Sequence, residues 1–177
     1  MSESYDTFTA RRSLAAIDNK TPPTKSQVIE DGLTFAAGSI NTSASAGSSE
    51  SLHIDNPAGN NRKFIVSLVT SYTDNSNALR LTFLAGGTSS GAELTPVNLL
   101  RGEGALASSA VVKFGSDALS GATALDIAAL LTERNNYELT TTIVVMPGES
   151  LAVQTTIPGT LSSSEIAMNV VWSEVSI

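Results

Sequence analysis

The chain has 177 residues, no cysteine, and 17 acidic against 10 basic residues, for a net charge of −7. Without cysteine, neither a disulfide framework nor thiolate metal ligation is available, and the acidic balance disfavours nucleic acid and anionic membrane as partners. The length suits one domain with some tail, large enough to bury roughly 70% of the surface its unfolded form exposes.

Residues 1–30 read as an arm or linker. They mix charges, show little periodicity, and are broken by Thr21-Pro22-Pro23-Thr24, where two prolines stop any helix and favour an extended path. The first 25 residues hold Arg11, Arg12, Lys20 and Lys25 against Glu3, Asp6 and Asp18, a net of +1. The remainder carries six basic and fourteen acidic residues, a net of −8. A mildly basic arm on an acidic body suits an arm that touches a different surface from the body, though a solvated tail has the same charge. Glu3, Asp6 and two arginines stand where a secretory leader would be apolar. No apolar run approaches the ~18 residues of a membrane span. The expectation is a chain that is made and stays soluble, or assembles from solution.

Residues 38–51 (GSINTSASAGSSES) are a low-complexity Ser/Ala/Gly stretch, which on composition alone is a loop. Asn41-Thr42-Ser43 matches a glycosylation sequon, set aside for want of a leader. From residue 52 onward short strands succeed one another. Phe64, Val66, Leu68, Thr70 and Tyr72 alternate with Ile65, Ser67, Val69 and Ser71. The same period of two runs through Leu79, Leu81 and Phe83, and through Leu139, Thr141, Ile143 and Val145. It continues in Leu151, Val153, Thr155 and Ile157, and in Ile166, Met168, Val170 and Trp172. Turn residues separate the runs: Asn56-Pro57-Ala58-Gly59, Asp74-Asn75-Ser76-Asn77, Gly86-Gly87, Pro147-Gly148 and Pro158-Gly159. Pro147-Gly148 looks like the clearest hairpin. Residues 117–131 (DALSGATALDIAALL) fit a helix or a strand; Gly121 and the β-rich surroundings favour a strand through 124–130. Many short strands with regular turns predict an all-β, antiparallel sandwich over residues 31–177, preceded by an extended N-terminal arm.

Chemistry-bearing motifs are few. His53 is the only histidine, so a Ser–His–acid triad or a zinc site would have to use it, and it reads as an exposed strand histidine. Gly148-Glu149-Ser150-Leu151-Ala152 faintly resembles a nucleophile elbow, but a strand follows it and His53 precedes the serine. Gly102-Glu103-Gly104-Ala105-Leu106-Ala107 spells a dinucleotide fingerprint without the helix it needs. Asp74, Asn75 and Asn77 lack the glycine and glutamate of a calcium loop. The fourteen body acids offer no pair to name for glycoside hydrolysis. No catalytic, cofactor or metal residues are assigned.

Four stretches carry a resemblance. They are Leu52-His53-Ile54-Asp55-Asn56-Pro57 with Arg62-Lys63-Phe64-Ile65-Val66; Glu93-Leu94-Thr95-Pro96-Val97-Asn98-Leu99-Leu100-Arg101-Gly102; Tyr137-Glu138-Leu139 through Pro147-Gly148-Glu149-Ser150-Leu151; and Ala167-Met168-Asn169-Val170-Val171-Trp172-Ser173-Glu174. As an ordered set over roughly residues 50–175, they resemble small β-sandwich virion proteins of tailed bacteriophages and tailed archaeal viruses, of the capsid-decoration, turret or head-fibre type. The resemblance implies a jelly-roll-like sandwich on the virion surface. It further implies a non-enzymatic subunit that binds the major capsid protein or other virion proteins and forms homo-oligomers, trimers or pentamers. Docking is expected through the arm, with Arg11, Arg12 and Lys20 as the contact residues. The alternative is a receptor- or glycan-binding sandwich of a viral tail. Thr95-Pro96-Val97-Asn98-Leu99-Leu100 is expected either to fold over an open end of the sandwich or to form a subunit contact.

Overall fold

The computed structural model describes residues 33–74, 79–100, 106–116, 119–131, 137–139, 142–161 and 164–177. Arg11, Arg12 and Lys20 lie outside these residues, as do Asn75-Ser76-Asn77 and Gly102-Glu103-Gly104. The described chain is all β. Its strands in order are β1 (Thr34–Ala44), β2 (Ser49–Asp55), β3 (Arg62–Thr73), β4 (Leu79–Ala85), β5 (Ala92–Leu94), β6 (Val97–Asn98), β7 (Val111–Gly115), β8 (Thr123–Leu131), β9 (Tyr137–Leu139), β10 (Ile143–Val145), β11 (Ser150–Thr156) and β12 (Ser164–Ser176). Residues 117–131 thus yield a strand, β8, which pairs with β4.

Two antiparallel sheets face each other. One has the order β10-β3-β12-β1-β6, with β9 also on β3; the other runs β5-β7-β2-β11-β4-β8. The pairings nest: β1 with β12, β2 with β11, β3 with β10, and β4 with β8. A long hairpin folded across itself pairs in this way, and eight strands so arranged are a jelly roll. The excursion through β5, β6 and β7 is inserted at the tip of that hairpin. It adds β7 and β5 to the free side of β2, and β6 to the free side of β1.

Alternation puts Phe35, Phe64, Val66, Met168, Val170 and Trp172 of the first sheet against Leu52, Ile54, Leu81, Phe83, Val112 and Leu151 of the second. The Phe35 and Trp172 rings lie 5.9 Å apart within the first sheet's inner face. In β3 the alternation changes phase. Val171 pairs with Leu68 but Trp172 pairs with Val66, leaving Ser67 as the extra residue of a bulge. Past the bulge, Val69, Ser71 and Thr73 are buried and Leu68, Thr70 and Tyr72 turn outward.

Three expectations need correction. The Ser/Ala/Gly stretch is no loop beyond residues 45–48: β1 extends to Ala44 and β2 starts at Ser49. Small side chains gave no periodic signal there, yet pairing of β1 with β12 and of β2 with β11 supplies the backbone partners. The Pro147-Gly148 turn forms, with Gly148 at φ 83° and Glu149 N–H donating to the Met146 carbonyl at 2.9 Å. It does not join paired strands, however, because β10 and β11 belong to opposite sheets and the turn arches over the core. Finally, Val97 and Asn98 do not fold over an open end of the sandwich; they pair with Ala36 and Phe35 as the edge strand β6, and the alternative expectation for this segment, a subunit contact, is taken up below.

Candidate interaction surfaces

The sandwich has two ends. At the arm end lie Leu33 and Thr34, the 57–61 turn, the 146–149 turn and the C-terminal Ile177. At the far end lie the 45–48 turn, Asp74 and the 158–161 turn. A buried glutamate points inward near each end, and sequence reasoning named neither.

Glu174, fully buried on β12, closes the arm end. Its Oε1 accepts from Ser108 Oγ at 2.6 Å and from the Ser109 N–H at 2.9 Å. Its Oε2 accepts from Ser109 Oγ at 2.7 Å and from Arg62 at 3.2 Å. Asn60 Nδ2 donates to Ser109 Oγ and to Asn56 Oδ1, both at 2.8 Å. Asn56 Nδ2 in turn reaches the Arg62 and Val145 carbonyls at 3.0 Å. One carboxylate therefore fixes the segment ahead of β7 to β12 and, through the asparagines, to the turn after β2. Every acceptor site of the buried charge is engaged, so burial does not leave it uncompensated.

Glu50 holds the far end more loosely. Its Oε1 accepts from Ser116 Oγ and from Asn41 Nδ2, the latter at 3.1 Å, and Asn41 also reaches Ser116 Oγ at 3.2 Å. The buried Oε2 has no hydrogen-bond partner among the described residues. The triad ties β1, β2 and the exit of β7 together where the sheets part.

His53 points away from the core, yet is only 5% exposed. On its row of the sheet stand Ala152 on β11, Lys113 on β7 and, beyond it, Glu93 on β5. The connection from β4 to β5 and that from β7 to β8 must both traverse the outside of this sheet, because each joins strands on opposite sides of β2 and β11. The two traversing segments bridge each other: Thr88 N–H donates to the Ser120 carbonyl at 3.0 Å and Ser120 N–H to the Thr88 carbonyl at 3.4 Å. Lys113 Nζ donates to the Ser89 carbonyl at 3.2 Å. The first segment lands close against β7, where a Cβ on Gly91 would stand 2.7 Å from the Phe114 carbonyl. His53 is thus a covered residue beneath these straps, not the exposed strand histidine expected from the sequence. Among the described residues no three His, Cys, Asp or Glu side chains group as metal ligands. Ser150 opens the strand β11, so the geometry of a nucleophile elbow is absent there.

Among the described residues the other sheet carries no such straps. Away from Lys63 and Glu165 near the strand ends, the outward residues of its three long strands are small, hydroxylic or apolar apart from Asn169, with Ile40, Val97 on β6 and Val144 on β10 about half exposed. Among the described residues the remaining exposed large apolar side chains, Leu99, Leu106, Met146 and Ile177, all lie at the arm end. An apolar groove of about 470 Å³ also opens between the edges of β8 and β10, lined by Ala85, Leu125, Ile143, Val145 and Leu151 with Glu149 at its rim. The far-end turns consist mainly of serine, alanine, glycine and threonine. The molecule therefore has an apolar end where the arm begins, a polar end opposite, one strapped sheet and one bare sheet.

No helix among the described residues is long and apolar enough to cross a membrane. No protein-family model matches the chain and no curated protein matches it, so its surfaces and its fold have to speak for it.

Proposed function

We propose that the chain is a non-enzymatic structural protein of a tailed-virus particle, a decoration, turret or head-fibre subunit anchored to the capsid surface through its N-terminal arm. The supporting observation is the polarity of the sandwich. The arm joins the described chain at Leu33, at the same end as Leu99, Leu106, Met146 and Ile177, whereas the opposite end is small and polar. Exposed apolar side chains gathered at one pole mark a contact surface, and a hydroxyl-rich pole suits water. Arg11, Arg12 and Lys20 add positive charge to an otherwise acidic chain, which suits docking on an acidic patch of the major capsid protein.

Removal of residues 1–25 is the test. The truncated protein is expected to keep its β circular dichroism and its unfolding transition, since the jelly roll begins at Thr34. Its incorporation into particles is expected to fall below detection. Replacement of Arg11, Arg12 and Lys20 by alanine is expected to weaken incorporation less and to make it less sensitive to salt. Truncated protein that decorates capsids at wild-type occupancy rules out anchoring through the arm.

A further inference from the structure

The two sheets differ in what covers their outer faces, and we infer that the bare one, the outside of β1, β12 and β3, packs against a second copy of this chain. The inference rests on the assembly reading above and adds the surface through which copies meet. The opposite sheet is already occupied, because the 86–91 and 119–122 segments lie on it and bury His53 and Ala152. Among the described residues nothing plays that part on the other sheet, and Ile40, Val97 and Val144 stand 48%, 50% and 47% exposed there.

Charge then selects the occupant. The chain carries −7, so copies repel wherever acids face each other. Between residues 34 and 42 of β1, 167 and 173 of β12, and 65 and 72 of β3 there is no ionisable acid or base apart from the Tyr72 phenol. Among the described residues of these strands and of β9, the nearest charges, Lys63, Glu138 and Glu165, sit at the rim of this area. Two copies can therefore meet here without desolvating a like-charged pair, which costs several kcal/mol elsewhere on an acidic surface. Size agrees. Three strands of 11 to 13 residues with β6 and β10 beside them give the whole face, its charged rim included, a footprint on the order of 700 Å², from strand spacings of about 4.8 Å and rises of about 3.3 Å. A stable interface takes about 800 Å² from each partner.

The test is the native mass of the full-length protein by sedimentation velocity and light scattering across micromolar concentrations. Wild type is expected at a multiple of 18.3 kDa. Ile40→Glu, and separately Val97→Glu on the same face, are expected to weaken association at least tenfold, leaving a single copy with unchanged circular dichroism. Leu106→Glu, at the arm end, is expected to retain the wild-type mass. A wild-type chain that stays at 18.3 kDa, whether the arm or nothing covers the face, overturns the inference, as does an Ile40→Glu variant that keeps the multiple. Variants that separate yet still bind particles refute neither the arm nor the face. Loss of particle binding by arm truncation with the mass intact bears on the anchor alone.

Discussion

Glu174→Ala is expected to lower the free energy of unfolding by about 3 kcal/mol, measured by urea titration at neutral pH. The carboxylate is fully buried and accepts from Ser108 Oγ, Ser109 N–H, Ser109 Oγ and Arg62. Its removal leaves the half-buried Ser109 amide and two serine hydroxyls without their acceptor, and buried donors that lose their acceptor cost about 1–3 kcal/mol each where water does not replace it. The Arg62 contact adds less, because that side chain is 28% exposed and its charge can turn to solvent. Glu174→Gln keeps the shape and one acceptor oxygen, so about half the loss is expected. The local signature is as informative as the total. Amide exchange at Ser109 and Ala110 should accelerate by more than global destabilisation accounts for, since this carboxylate is what fastens the segment before β7. Equal stability for Glu174→Ala and wild type would mean that the network at the arm end contributes nothing to folding.

Trp172→Ala is expected to be the most damaging single change, at about 4 kcal/mol, with a midpoint for thermal unfolding lower by roughly 10 °C. The side chain is fully buried between the sheets and packs against Phe35 at 5.9 Å, so truncation opens a large cavity that strands anchored on both sides cannot close. Trp172→Phe isolates a second effect. The indole N–H is buried with no hydrogen-bond partner among the described residues, a cost of about 1–3 kcal/mol that phenylalanine removes. That gain offsets the smaller cavity, and the phenylalanine variant is expected within about 1 kcal/mol of wild type. A phenylalanine variant as unstable as the alanine one would show that the indole nitrogen has a partner after all.

The alternation of Ile166, Met168, Val170 and Trp172 predicts both the strand and its core face, and the structure keeps both. Extending the same alternation one step reaches Glu174, and the run Leu52, Ile54 read backwards reaches Glu50. Both buried carboxylates were therefore within reach of pattern reading, and were passed over because acids ordinarily sit at the surface. The β1–β2 region was hidden for a different reason. Serine, alanine and glycine carry almost no hydrophobic signal, and the strand there exists through pairing with residues more than a hundred positions away. The Ser67 bulge and the arch at Pro147-Gly148 are likewise properties of pairing partners rather than of local sequence. The straps are legible only in retrospect, as two loops that must traverse one sheet because strands near in sequence are far apart in the sheet order. The basic residues Arg11, Arg12 and Lys20 are placed by composition alone, since they lie outside the described residues.

Docking by the arm end is tested most directly by an electron cryomicroscopy map of the source particle at a resolution that separates the sheets. The expected density has the jelly roll standing on the shell, with Leu99, Leu106 and Met146 toward the capsid and the 45–48 and 158–161 turns outermost. A map in which the far end meets the shell, or in which this sandwich is missing from the particle, contradicts it.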